Sequence, residues 1–406
     1  MITTHKLKPT IPSRHSQPFR LTPHAWKSKK TSEHLNWLSV SDIHLGHLRT
    51  PTESILDNLE AILFDGRIAD LDILFIAGDL FERQLEYNHP ASGRILLFVD
   101  KLMDECSKHT CKLRVLEGTP SHDNKQNKIF DDVYATGKYS CDMKYVDTLS
   151  VEYLPDWDMR ILYVPDKIRT TTQEVWDDTV KLLADLGITY VDMAIMHGAF
   201  SHQLPPMAKE VYVPEDWLKI VKHWILVGHV HFHSIYDRIG AGGSFDRLCH
   251  GEEGAKGLLM GTLNLKGDVK KDKIYFIENT RAKKYVTIDC TGDESVEVSL
   301  VKIEDIANRL PNDSYIRIRG EKGNPVFSNM AEVMKINLAH YWNKDEKLLE
   351  DEETLTEAEK EEGLESWVPI HLDKANIMGI LLERLSSKQI SGDVLQLAEG
   401  IIHESL

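Results

Sequence analysis

The sequence predicts an α/β fold in which a sheet is covered by helices, with a smaller α+β unit behind it. Between residues 36 and about 261, short apolar runs alternate with helical patterns, the order expected of strand–helix units. The runs LNWLSVSD, DILFIAGD, KLRVLEG, MRILYVPD, VDMAIMHG and HWILVGHV read as strands, and five of these six end in Asp, His or a Gly-His step. Beyond about Lys266 the pattern changes to KIYFIENT, KKYVTIDC, ESVEVSLVKI and SYIRIRGEK, read as strands and turns of a small unit.

The intervening helices follow from apolar residues at three- and four-residue spacing. Residues 53–64 place Ile55, Leu59 and Ile62 on one face, and residues 92–105 do the same with Ile95, Leu96, Val99, Leu102 and Met103. A chain of 406 residues exceeds the length over which one core keeps growing, about 250 to 300 residues, so several units are expected. They are a basic arm over 1–35, a main domain over 36–264, a small domain over 265–343, an acidic linker over 344–367 and a helical segment over 368–406.

Composition excludes some classes. No apolar run approaches the roughly 20 residues of a membrane helix, so no membrane span is expected. The first thirty residues carry Lys6, Lys8, Arg14, Arg20, Lys27, Lys29 and Lys30 without a continuous apolar stretch, unlike a signal peptide. Cys106, Cys111, Cys141, Cys249 and Cys290 form no CxxC pair, which argues for a reduced, cytoplasmic compartment. The net charge of −16 is concentrated: residues 344–365 hold eleven acids and three lysines. With about half of the excess in that segment, the balance of the chain does not exclude a nucleic-acid ligand.

The strand ends supply the chemistry. In chain order they offer Asp42-Ile43-His44, Gly78-Asp79, Ser121-His122-Asp123, His197-Gly198 and Gly228-His229-Val230-His231. Ligand sites in open sheets gather at the C-terminal ends of strands, so these groups are expected to meet along one edge of one sheet. Together they form a mixed carboxylate and imidazole set, suited to a binuclear Mn, Fe, Zn or Co centre rather than to Mg alone. A single histidine after a strand is usually a turn residue or a satisfied polar group. Five such motifs in order point to a binuclear hydrolase.

The motifs DxH, GDxxxR (Gly78, Asp79, Arg83), a shifted GNHD (Ser121, His122, Asp123), MHG and GHVH resemble those of calcineurin-like metallophosphoesterases. The resemblance implies a β-sandwich flanked by helices, a capping domain and two divalent ions. Asp42, His44, Asp79 and His231 would hold one ion, and Asp79, His197 and His229 the other, with Asp79 bridging. His122 would be catalytic, its tautomer fixed by Asp123. Ser121 stands where the family has an asparagine ligand and would be a shorter, weaker donor. His47 and His233 are expected close to the ligands.

A narrower resemblance comes from AGGSFDRLCHGEEGAKGLLMGTL, in which Gly243, Ser244, Arg247, Glu252, Glu253, Lys256 and Gly257 match the SbcD-type nuclease family. It implies Mn-dependent 3′ to 5′ exonuclease and endonuclease activity on DNA, a homodimer, and an SbcC-type, SMC-like ABC ATPase partner in DNA repair. Arg317 and Arg319 would grip the DNA backbone, unless they are solvent-facing side chains of an edge strand. Residues 368–406 would dock on the ATPase, or pack on the core. The long basic arm suggests a divergent source, such as a virus or phage. Two alternatives stand: a phosphomonoesterase or small-molecule phosphodiesterase on the same metals, and a DNA-end-binding scaffold with a weakened metal site.

Overall fold

The structure, a computed structural model, describes residues 33–86, 88–205, 207–290 and 294–347. The basic arm, most of the acidic segment and the terminal helical segment lie outside the described residues.

Among the described residues, fifteen strands form three sheets. The first contains His34–Val40 (β1), Ile73–Ala77 (β2), Lys112–Leu116 (β3) and Met143–Val146 (β4), all parallel neighbours. The second is built from Ser150–Leu154 (β5), Met159–Val164 (β6), Met193–His197 (β7), Ile225–Gly228 (β8), Ser234–Tyr236 (β9) and Ile239–Ala241 (β10), in the order β5-β6-β7-β8-β10-β9. Gly257–Asn264 (β11) and Lys273–Glu278 (β12) return to the first sheet and extend it antiparallel beyond β1. Tyr285–Asp289 (β13), Tyr315–Glu321 (β14) and Tyr341–Lys347 (β15) make the small third sheet.

The two large sheets pack as a sandwich. Leu35, Trp37, Ile73, Phe75 and Leu116 of the first meet Ile161, Tyr163, Met193, Ile195 and Leu226 of the second in one buried cluster. Outside the first sheet, Thr52–Leu63 (α1), Ser92–His109 (α2) and Ile129–Tyr134 (α3) bury Ile55, Leu59, Phe98, Leu102 and Phe130. Outside the second, Thr172–Asp185 (α4) and Pro214–Ile220 (α5) contribute Val175, Leu183 and Trp217. The chain thus has the expected α/β character, a sandwich flanked by helices with a small sheet beside it.

All six strands anticipated between 36 and 261 form, but in two sheets rather than one. Parallel pairing links β1, β2 and β3 on one side and β6, β7 and β8 on the other. The expected single edge is therefore a pair of facing edges. The stretch ESVEVSLVKI, expected as a strand, lies in the helix Val296–Ala307 (α6). Its valines alternate with polar residues and imitate a two-residue period. The hydroxyl of Ser295 accepts from the Val298 amide and starts the helix, while Ser299, Ile303 and Ala307 form the buried stripe. Those four-residue spacings prevail because they face β13 and β14 residues Ile288, Ile316 and Ile318.

Two boundaries also differ from the reading by composition. Lys273–Glu278, grouped above with the small domain, hydrogen-bonds to β11 in the large sandwich. Lys344, Asp345 and Glu346, the start of the acidic segment, belong to β15. The strand bearing Arg317 and Arg319 is central in its sheet, between β13 and β15, not an edge.

Candidate metal centre

The parallel strands deliver their C-terminal loops to one place. Asp42 and His44 follow β1, Asp79 follows β2, His122 follows β3, His197 ends β7, and His229 and His231 follow β8. Two groups have ligand atoms within 4.8 Å of one another: Asp42 with His44 and His231, and Asp79 with His197 and His229. A third group at the same spacing joins His44 to Glu82 and His122.

The backbone is bent to achieve this. Asp42, His44, Asp79 and His229 have φ of 51°, 55°, 51° and 99°, a left-handed region that costs side-chain-bearing residues energy and recurs at functional sites. Gly78, at φ +86°, permits the turn before Asp79, because a Cβ there would lie 2.2 Å from His197 Nδ1.

Proton placement gives the groups their polarity. His197 Nδ1 lies 2.8 Å from the Ala77 carbonyl, which can only accept, so Nδ1 carries the proton. The other nitrogen, Nε2, faces Asp79 Oδ2 at 3.1 Å. In the other group, His231 Nδ1 is 2.7 Å from Glu252 and His44 Nδ1 is 2.9 Å from Glu82. The Nε2 atoms of His44 and His231 lie 3.0 Å apart, a separation at which a proton or a metal cation must stand between the two nitrogens, since two bare lone pairs would repel. Asp42 Oδ2 is buried with no hydrogen-bond partner. These donors fit divalent ions.

Burial opposes a charge on His197, but the adjacent Asp79 carboxylate outweighs it and pushes the imidazole up to about 10. Burial likewise disfavours the Asp79 carboxylate, and His197 and His44 more than compensate, holding its pKa below the usual range. His229 is lowered by burial and by His197.

Asp123 and Ser121 are not placed as expected. Asp123 is fully buried and accepts from the amides of Asp79, Phe81 and Gly118 at 3.0, 2.9 and 2.8 Å. It fastens the β2 and β3 loops together, and burial with the nearby Asp79 pushes its carboxyl up to about 7. His122 instead turns Nδ1 to the Glu82 carbonyl at 2.6 Å, which leaves Nε2 available. Ser121 is exposed. The residue directed at the ligands is Thr119, whose amide donates to Asp79 Oδ1 at 2.6 Å and whose hydroxyl is 3.2 Å from Asp79 Oδ2 and 3.4 Å from His229 Nδ1. Thr119 directly follows Gly118. Counting forward from that glycine, rather than backward from His122, was the signal for it.

The segment after GHVH acts from behind. Glu252 accepts from Lys256 Nζ at 3.0 Å, and Lys256 also donates to the His231 carbonyl at 2.8 Å and to Ser244 Oγ at 2.7 Å. Burial raises the Glu252 pKa, but His231 and Lys256 prevail and hold it at about 2. The Arg247 guanidinium reaches the Glu253, Ala282 and Lys283 carbonyls, tying this loop to the small sheet. Glu82 was missed because GDLFER drew notice to Arg83, whose side chain is exposed. His47 Nδ1 accepts from the Thr50 amide, and His233 bonds Ala241 and stacks on Phe276. Both serve the loops beside the ligands.

Arg317 and Arg319 project from β14 beside Thr287, Asp289 and Asp345. With Arg247, Lys284 and Tyr285 they line a cleft of about 580 Å³.

A curated protein shares part of this chain. The DNA double-strand break repair protein Mre11 of Methanopyrus kandleri is 36% identical over 69 residues, covering 16% of this chain and 14% of that relative. No protein-family model matches. Among solved structures, that of GAP50, the anchor in the inner membrane complex of Plasmodium, aligns over 60% of this chain and 89% of its own at 12% identity and a TM-score of 0.37. Another crystal structure aligns over 60% of this chain and 99% of its own at 13% identity, also with a TM-score of 0.37. Among the described residues, no helix is long and apolar enough to cross a membrane.

Proposed function

We propose that this protein is a metal-dependent nuclease of the calcineurin-like phosphoesterase class, cleaving DNA phosphodiesters at a two-ion centre. The observation that carries the reading is the confrontation of His44 and His231 at 3.0 Å beside the separate Asp79–His197–His229 group. Asp42, His44, Asp79 and His231 would hold one ion, and Asp79, His197 and His229 the second, with Thr119 in place of Ser121 at its edge. Bound ions supply an activated water and charge stabilisation for in-line phosphate displacement.

The chain's own groups complete the chemistry. His122 holds Nε2 free beside the ligands, suited to protonate the departing sugar oxygen. Lys284, Arg317 and Arg319 offer a cationic cleft to the DNA backbone, consistent with the partial likeness to a protein named for double-strand break repair. Under this reading Mn is the working metal, the chain forms a homodimer in the cytoplasm, and residues 368–406 engage an SbcC-type ATPase.

The test uses purified protein, Mn and end-labelled linear duplex beside p-nitrophenyl phosphate esters, with and without chelator. Nucleotide release that vanishes in Asp79→Asn and His122→Ala supports the nuclease. Rapid ester cleavage with untouched DNA assigns the protein to small-molecule phosphoesterases instead.

A further inference from the structure

A second cavity, of about 440 Å³, opens beside the ligand histidines. His229 and His231 form one wall, while Leu204, Phe232, Cys249 and His250 contribute a largely apolar remainder. Its volume lies in the range of sites for small organic ligands, about 300 to 1,000 Å³. Phe232 directly follows His231 and is 55% exposed, a large aromatic left open where charged and metal-binding groups otherwise gather.

The backbone that carries the ring is held in place. His231 turns to the ligand cluster and His233 turns away, stacked on Phe276 at 4.1 Å, so Phe232 alone of the three presents its side chain outward. Lys256 Nζ sits 5.7 Å from the Phe232 ring centroid while bonded to the His231 carbonyl and Glu252. Behind the loop, Gly243 adopts φ +75°, and a Cβ there would come within 2.8 Å of the His231 carbonyl and the His233 amide. The backbone is therefore pressed against a residue that cannot be enlarged.

The cavity also touches the cationic cleft, since Gly251 lines both. A polyanion lying along Lys284, Arg317 and Arg319 would be led to the metal ligands with an apolar, aromatic-walled pocket at its side. Aromatic faces hold nucleobases by stacking, with little regard for sequence.

We propose that this cavity is a nucleobase pocket, in which the base next to the cleaved phosphodiester leaves its stack and lies on Phe232. The proposal rests on the phosphodiesterase reading and specifies how that site selects a nucleic acid with an unpaired end. Phe232 is a specificity residue here, with no part in proton transfer or metal binding.

The experiment pairs full-length wild type, Phe232→Ala and Phe232→Trp with single-stranded oligonucleotides that are complete or carry an abasic residue at either of the last two positions of each end. Phe232→Ala is expected to raise KM for the complete strand about 10- to 100-fold, with Mn affinity by calorimetry unchanged and Phe232→Trp restoring the loss. One abasic position should impose a similar loss on wild type and remove the difference between wild type and Phe232→Ala. An alanine penalty that persists on every abasic strand, or no penalty at all, overturns the pocket. Binding is read separately from 2-aminopurine placed at the same positions. Quenching by wild type that is lost in Phe232→Ala supports the pocket even if no strand is cut, in which case the nuclease reading alone fails; absence of quenching by wild type overturns the pocket.

Discussion

Glu252 stands 2.7 Å from Nδ1 of His231 and 3.0 Å from the Lys256 ammonium. One carboxylate thus fixes the tautomer of a metal-ligand candidate and neutralises a buried cation. Glu252→Gln is expected to weaken one of two Mn binding steps about 10- to 100-fold, the usual consequence of losing a carboxylate behind a ligating histidine. It should also destabilise the fold by about 3 to 5 kcal/mol by leaving Lys256 uncompensated. Adding Lys256→Met should recover the stability but not the metal step. Calorimetric titration and thermal melts separate the two effects.

Thr119 and Ser121 offer a direct comparison. Thr119 touches Asp79 and His229, whereas Ser121 is exposed. Thr119→Ala should lower the affinity for one ion, and Ser121→Ala should leave both binding steps and turnover unchanged. A loss confined to Ser121→Ala would reverse this assignment.

His122 is held by one nitrogen and free at the other. His122→Ala should reduce turnover about 100- to 10,000-fold, the range for a general acid, with both Mn binding steps intact by calorimetry. Loss of an ion in that variant would make His122 a ligand.

Gly78→Ala meets two obstacles, the φ of +86° and a Cβ 2.2 Å from His197 Nδ1. A melting temperature lowered by several degrees is expected, since left-handed strain alone costs about 1 to 3 kcal/mol. Rotation of His197 away from Asp79 should accompany it, visible as loss of a metal step.

Within β3, buried Arg114 bonds Glu152 at 2.8 and 3.0 Å and pairs with Asp142 at 3.0 Å. Burial works against the Asp142 charge, but Lys112 and Arg114 outweigh it and lower its pKa. A lowered carboxylate stabilises the fold above its unfolded pKa of about 3.9, and that contribution is lost as pH falls through the lower folded value. Arg114→Met should reduce this part of the acid sensitivity in melts below about pH 4, with Lys112 still beside Asp142, and, by removing the main cation beside Glu152, destabilise the protein at neutral pH.

Much of this was legible in the chain. The six strands and the histidines that meet in the candidate metal groups announced themselves because a buried strand ending in Asp or His is a local pattern. What failed was non-local or ambiguous. Which strands share a sheet depends on pairing, so β7 and β8 could not be told from partners of β1. The alternating valines of residues 296–301 fit either period, and only contact with Ile316 and Ile318 decided for helix. Thr119 was passed over because the two residues after it displace the histidine from its usual distance to glycine, while the loop keeps its first residue against Asp79. Glu82 and Glu252 act through other side chains, a role that leaves no spacing rule.

The facing sheets have a kinetic corollary. His44 and His231 meet across 187 positions of sequence, and neither sheet alone assembles either ion pocket. Under the two-ion reading a cation would be captured only after the sandwich has closed, so metal uptake would be a clock for the last stage of folding. The captured ion would then rivet the two halves together and slow their separation.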